Sequence, residues 1–294
     1  MKAETLFDTG MIRQNRLRAL ARDPARADFL LRIVAAELAD RLAVVERRFP
    51  RAAALHCHTG QVCRLLAESG KTDGITRIET DPELFVDHAP ATGRVVAALD
   101  AFPFDRERLQ LVVSALSMHL ADDLPGLLRQ IADSLSPDGL LLAALPGAGT
   151  LGELRDSLLS AETELSSGAS PRVIPFADVR DCGGLLQRAG FALPVVDSET
   201  YTVRYDTMFP LMADLRDMGM ANPLAGRSRR PAARALFARA AEIYAERYAD
   251  DDGRVRASFN IVYLSGWKPD PGQQKPLRLG AARMSLTDAL NDRS

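Results

Sequence analysis

The stretch from residue 51 to 81 constrains this chain more than any other. Ala52-Ala53-Ala54-Leu55 is a short apolar run, and His56-Cys57-His58-Thr59-Gly60 follows as a tight turn. Residues 61–69 then read as a helix, with Gly70 placed to end it. Residues 75–79 form a second apolar run that ends on Glu79. Strand, turn, helix and strand with a terminal carboxylate is the layout of a nucleotide-binding βαβ unit. In such a unit backbone N–H groups of the turn approach a ligand at a helix N-terminus, and the acid accepts from ribose hydroxyls. The turn is unusual, because imidazoles stand at 56 and 58 where small residues are expected.

Further apolar runs recur at 94–99, 109–116 and 139–145, with a helix at 124–135 closed by Ser136-Pro137-Asp138-Gly139. Runs at 195–205 and 256–267 complete seven strands. Strands alternating with helices predict an α/β fold with a mostly parallel, doubly wound sheet. Ligands in such sheets sit beyond the carboxyl ends of the strands. That rule gathers 56–60, Glu79, Asp100, 114–119 and 146–150 on one rim. Ahead of the sheet lie an arginine-rich segment at 11–22 and a helix at 29–49 striped by Leu30, Val34, Leu38 and Leu42. Helices are expected at 151–165 and 176–189. A helical stretch at 208–249, broken near Asn222-Pro223 and Pro231, is too long for a hairpin loop and reads as a lid. The expected organisation is 1–50 N-terminal helices, 51–205 cofactor-binding core, 206–254 helical lid, 255–268 last strand and 269–294 tail.

At 294 residues the chain can bury a sizeable core. With 37 basic and 39 acidic residues the formal charge is −2, and aromatics are 6%, so no nucleic-acid partner is expected. Three scattered cysteines form neither a disulfide framework nor a C-x-x-C pair and fit a reducing compartment. The first residues lack a signal-peptide apolar region and carry acids early, and no apolar run is long enough to span a bilayer.

Glu79 and Asp100 are the candidate acids for the ribose and the exocyclic amine of a nucleoside; the plainer alternative is a pair of solvated strand ends. His56, His58 and Glu79 have the composition of a two-histidine, one-carboxylate iron set, although splayed side chains on a degraded turn are the commoner outcome and no metal is assigned. His119 is the candidate general base or substrate contact, with a structural histidine as the equal alternative. Arg227, Arg229 and Arg230 read as a solvated basic face, with a site for an anionic partner as the alternative. Neither a nucleophile elbow nor a phosphate-binding P-loop is present.

Several segments together resemble one known family. They are Phe7-Asp8 and the arginines after it, SALSMHLADDLP at 114–125, PDGL at 137–140, TLGELR at 150–155, SPRVIPFADVRD at 170–181, LLQRAGF at 185–191, TVRY at 202–205, DLRDMG at 214–219 and Gly266-Trp267. The chain resembles the class I S-adenosylmethionine-dependent methyltransferases. Within them it is similar to the group of the complex I assembly factor that hydroxylates protein arginine. The resemblance implies a Rossmann-like methyltransferase fold with a helical lid insertion. It implies S-adenosyl-L-methionine as cofactor, held by His56, Thr59, Gly60, Glu79, Thr80, Asp100, Ala101 and Ser114. A complex I subunit would be the protein client, in the cytoplasm or, in a eukaryote, the mitochondrial matrix. Methyl transfer to a small-molecule or carrier-linked carboxylate is the alternative, as is a non-catalytic assembly chaperone. An imidazole at His56 adds bulk where only glycine removes the Cβ. The chain is therefore expected either to hold the cofactor weakly or to keep the fold for another task.

Overall fold

A computed structural model describes residues 5–22, 28–85, 89–166 and 168–273. The tail expected at 269–294 lies outside the described residues from 274 on, as do residues 1–4.

The element order is α1 (Thr9–Arg22), α2 (Phe29–Ala43), β1 (Arg51–Leu55), α3 (Gln61–Glu68), β2 (Gly74–Glu79), β3 (Gly93–Val96), β4 (Leu109–Ala115), α4 (Leu124–Ser134) and β5 (Leu135–Pro146). Then follow α5 (Gly152–Leu165), α6 (Val179–Ala189), β6 (Ala192–Tyr205), α7 (Met208–Asp217), α8 (Arg234–Tyr248) and β7 (Val255–Trp267). Seven strands form one sheet in the order β3-β2-β1-β4-β5-β7-β6. The first five are parallel; β7 runs antiparallel to both β5 and β6. The strand order reverses between β1 and β4, which is where an open α/β sheet leaves a crevice at its carboxyl edge.

Alternation along β1 sends Ala52 and Ala54 to one face of the sheet and Ala53 and Leu55 to the other. The first face is covered by α2, α3, α5, α7 and α8 through residues such as Leu38, Val62, Leu158, Leu211 and Ile243. The second is covered by α4 and α6 through Leu127, Ile131 and Leu186. Burying both faces of central strands is why β1 and β4 read as near-continuous apolar runs.

Several boundaries differ from the sequence reading. α2 stops at Ala43, six residues early, and Lys71 Nζ donates to the carbonyls of Leu42 (2.8 Å) and Ala43 (2.9 Å) at its end. β3 ends at Val96 rather than 99. β5 starts at Leu135 and runs through the expected turn as an irregularity, with Asp138 at φ 60° and a register shift opposite Leu109 and Leu111. α6 starts at Val179 because Asp178 caps it, accepting from the Asp181 N–H at 2.8 Å. The expected lid is two separate things. α7 stands over the sheet rim, whereas α8 packs along α5, tied by Arg239–Glu164 and Arg247–Asp156 at 2.6 Å each. Among the described residues no helix is long and apolar enough to cross a membrane.

Candidate functional site

The turn after β1 is held from beneath. His56 N–H extends the parallel ladder by donating to the Ile78 carbonyl at 2.8 Å. His56 and His58 then both take left-handed conformations, at φ 50° and 53°, and Gly60 follows at φ 75° to start α3. Left-handed backbone is strained for any side chain except glycine, at a cost of roughly 1–3 kcal/mol per residue. Asp28, the cap of α2, latches the turn: it accepts from Thr59 Oγ1 and from Gln61 Nε2, the latter at 2.6 Å.

Glu79 ends β2 fully buried. Its Oε1 accepts from Arg77 Nε at 3.0 Å and lies 3.7 Å from Cys57 Sγ. Arg77 Nη2 also donates to the His58 carbonyl (2.9 Å) and the Leu84 carbonyl (3.1 Å), which ties β2 to the turn. Glu79 Oε2 has no hydrogen-bond donor; the nearest cation is Arg16 Nη1, 3.9 Å away. Burial pushes the Glu79 carboxyl above its ordinary range, against the opposing pull of the two guanidiniums. Arg16 comes from α1, and one turn earlier Arg13 pairs with Asp81 (2.5 Å) and Glu83 (3.0 Å) just beyond β2. α1 therefore lies across the end of β2 as a strap. Its other edge is fixed to the α7 side by Arg22–Asp217 at 3.0 Å and by Asn15 Nδ2 donating to the Ala221 carbonyl at 2.8 Å.

Beneath α1 and α7 a cavity of about 310 Å³ opens at the carboxyl ends of β1, β4 and β5. His56, His58, His119 and Arg16 share its wall with Arg172 and a set of apolar residues that includes Met212, Met218 and Met220. Neither ring nitrogen of His56 or His58, nor Nδ1 of His119, has a described hydrogen-bond partner; the Ala98 carbonyl lies near His56 without reaching hydrogen-bond geometry. Burial, reinforced by the Arg16 charge, lowers all three imidazoles to about 3, so they are neutral near pH 7. Among the described residues no group of three His, Cys, Asp or Glu side chains is placed to hold a metal ion, so His56, His58 and Glu79 do not form the iron set their composition allowed.

Of the residues expected at a cofactor, His56 lines the cavity, as does the candidate base His119. His119 is half-buried against Phe176, their ring centroids 5.9 Å apart. Glu79 lies one layer beneath, behind Arg16. Thr59 and Gly60 shape the turn, and Thr80 Oγ1 is buried without a partner. Asp100 accepts from the Asp123 N–H at 2.8 Å, and the Ala101 N–H donates to the Ala98 carbonyl at 3.0 Å. Ser114 Oγ contacts Ser117 Oγ (3.0 Å) and the Leu55 carbonyl (3.3 Å). The basic cluster is not simply a solvated face, because Arg227 pairs with Asp8 at 2.9 Å. Arg16, Arg77 and Arg172 are the residues that sequence reasoning missed. Arg16 was visible only as one arginine among several at 11–22.

Adenosine needs an open acid after β2 and a bare backbone turn after β1. The acid is present, with an unpaired oxygen, but Arg16 and the two imidazoles close the approach to it. With α1 where it stands, Arg16 lies between the Glu79 carboxylate and the cavity.

Residues 55–143 match a methyltransferase-domain family model. The mitochondrial arginine-hydroxylase NDUFAF5 of Danio rerio is 37% identical over 286 residues, covering 96% of this chain and 89% of that protein. The malonyl-[acyl-carrier protein] O-methyltransferase of Halorhodospira halophila is 32% identical over 266 residues, covering 85% and 86% respectively. A solved methyltransferase structure from Bacillus halodurans superposes with a TM-score of 0.56 at 15% identity, over 80% of this chain and 99% of that one, which establishes the fold. The sheet order, the acid ending β2 and this chain-long likeness make one conclusion: the chain belongs to the methyltransferase-fold family of the NDUFAF5 arginine-hydroxylases.

Proposed function

We propose that this chain acts in respiratory complex I assembly by hydroxylating an arginine of a complex I subunit. S-adenosyl-L-methionine would be its cofactor, and it would work in the bacterial cytoplasm or, in a eukaryote, the mitochondrial matrix. One observation carries the reading. Two of the segments that resemble the arginine-hydroxylase group build part of the cavity wall: 114–125 supplies Ala115, Leu116, His119 and Leu120, and 170–181 supplies Arg172, Val173, Ile174 and Phe176. The likeness that reaches these wall segments as well as the sheet supports a shared ligand. Cofactor binding requires α1 to lift Arg16 away from Glu79.

The test is mass spectrometry of complex I subunits from a strain lacking this gene. Loss of a single added oxygen on one arginine is expected. Loss of a methyl group instead, or no change in any subunit, overturns the reading.

Methyl transfer to a carrier-linked carboxylate is the second reading, and a specific feature favours it. No described residue of the cavity wall is an acid, so nothing there would balance an arginine guanidinium, whereas Arg16 would balance a carboxylate.

A further inference from the structure

Apart from the three neutral imidazoles, the buried side-chain donors on the cavity wall other than Arg16 are engaged. Asn15 gives its amide to the Ala221 carbonyl, and Asn222 donates to the Pro171 carbonyl at 2.8 Å. Arg172 forks onto Glu162 at 2.6 and 3.1 Å. Arg216 is exposed and donates to the Met212 carbonyl at 3.0 Å. Arg16 differs from these. Its side chain is 6% exposed, it makes no hydrogen bond to any described residue, and its nearest carboxylate is the 3.9 Å contact with Glu79, whose other oxygen serves Arg77. A buried guanidinium with five donors and one distant counter-charge is costly unless a further acceptor arrives.

The rest of the wall says what that acceptor is attached to. Leu31, Leu151, Leu154, Val173, Ile174 and Phe237 make it apolar, and the three imidazoles bring no positive charge near pH 7. A guanidinium matches two coplanar acceptor oxygens. One guanidinium balances one negative charge, so a monoanion suits the cavity better than a phosphate ester, which carries nearly two. We infer that the cavity takes an aliphatic carboxylate, its carboxyl group bound by Arg16 and its alkyl body lying against the α5 and α7 side. The inference rests on the same acid-free wall that favours the carboxylate reading above, and because binding is measured without turnover it can fail separately from either reaction.

Calorimetry on the full chain tests it with sodium octanoate, 1-octanol and octyl phosphate as probes. Octanoate is expected to bind about ten-fold or more tightly than octanol, the value of charge-assisted hydrogen bonds. That preference is expected to fall to near parity in Arg16→Gln and to be partly kept in Arg16→Lys. The comparison is a ratio within one preparation, so a partly unfolded variant lowers both titrations alike and leaves the ratio readable. The amino-acid end of S-adenosylmethionine carries the same group. If octanoate shows no preference but Arg16→Gln weakens S-adenosylmethionine and spares 5′-methylthioadenosine, the carboxylate bound by Arg16 is the cofactor's. Octyl phosphate binding more tightly than octanoate overturns the inference. So does an octanoate preference that survives in Arg16→Gln, or the lack of Arg16 dependence in both arms.

Discussion

Arg16 Nη1 stands 3.9 Å from Glu79 Oε2, close enough to share charge and too far to share a hydrogen bond. The contact joins an N-terminal helix to the acid that the fold reserves for a ribose, and so it decides who reaches that acid. Arg16→Ala is expected to strengthen binding of adenosine, which has no carboxylate, by about ten-fold, the worth of a charge-assisted hydrogen bond regained by Glu79. Adding Glu79→Ala should remove the gain. Equilibrium dialysis with labelled adenosine reads both steps, and an unchanged affinity in Arg16→Ala means that α1 is no barrier.

The three cavity histidines give stability a pH dependence of known sign. In the fold all three titrate at about 3, while in the unfolded chain they titrate near 6.5. The unfolded state therefore takes up protons first as pH falls. Stability is full above about 6.5 and is lost progressively toward 3, by up to about 1.4 kcal/mol per pH unit for each histidine. Glu79, raised by burial, works the opposite way: its protonated form suits the fold, so its term fades as pH rises through its folded value. Urea midpoints measured from pH 7 down to pH 4 should fall steeply. The triple variant His56→Gln, His58→Gln and His119→Gln should flatten the slope.

Arg77 holds three groups at once: the Glu79 carboxylate and the carbonyls of His58 and Leu84. Arg77→Met removes the partner of a buried acid and leaves two carbonyls without this donor. A loss of about 3–5 kcal/mol is expected from chemical denaturation. Arg77→Lys should recover little, because one ammonium cannot span the positions that a planar fork reaches. A loss below 1 kcal/mol for Arg77→Met would show that the turn is held by other means.

Asp28 fixes the turn from the far side through Thr59 and Gln61. Asp28→Ala should cost about 1.5–3 kcal/mol, the range for hydrogen bonds to a charged group. It should also speed amide exchange at 57–60 more than in the core of β4. Equal acceleration across both segments would mean a global loss rather than an unlatched turn.

The sheet was legible because its signals are local. Apolar runs near 52–55, 75–79, 109–116 and 256–267, each bounded by turn residues, sit at β1, β2, β4 and β7 within a residue or two. Boundaries failed where a side chain from elsewhere intervened, as Lys71 does at the end of α2. The site was harder to read. Glu79 and His56 stand on the rim that strand order predicts, but whether an acid faces ligand or another side chain depends on a residue 63 positions away along the chain, Arg16. The helical stretch at 208–249 carried one composition and took two jobs, because α7 stands over the cavity while α8 packs along α5 and reaches the cavity through Phe237.

Sequence by itself determined the alternation of strands and helices, the carboxyl-edge rim and the family, because periodicity and segment likeness are properties of neighbours along the chain. Tertiary structure decided that α1 crosses the end of β2, that the cavity histidines are desolvated and neutral, and that the Arg16 guanidinium faces an acid-free cavity. Those depend on desolvation and on charges brought together across the fold, and neither can be read from residues taken in order.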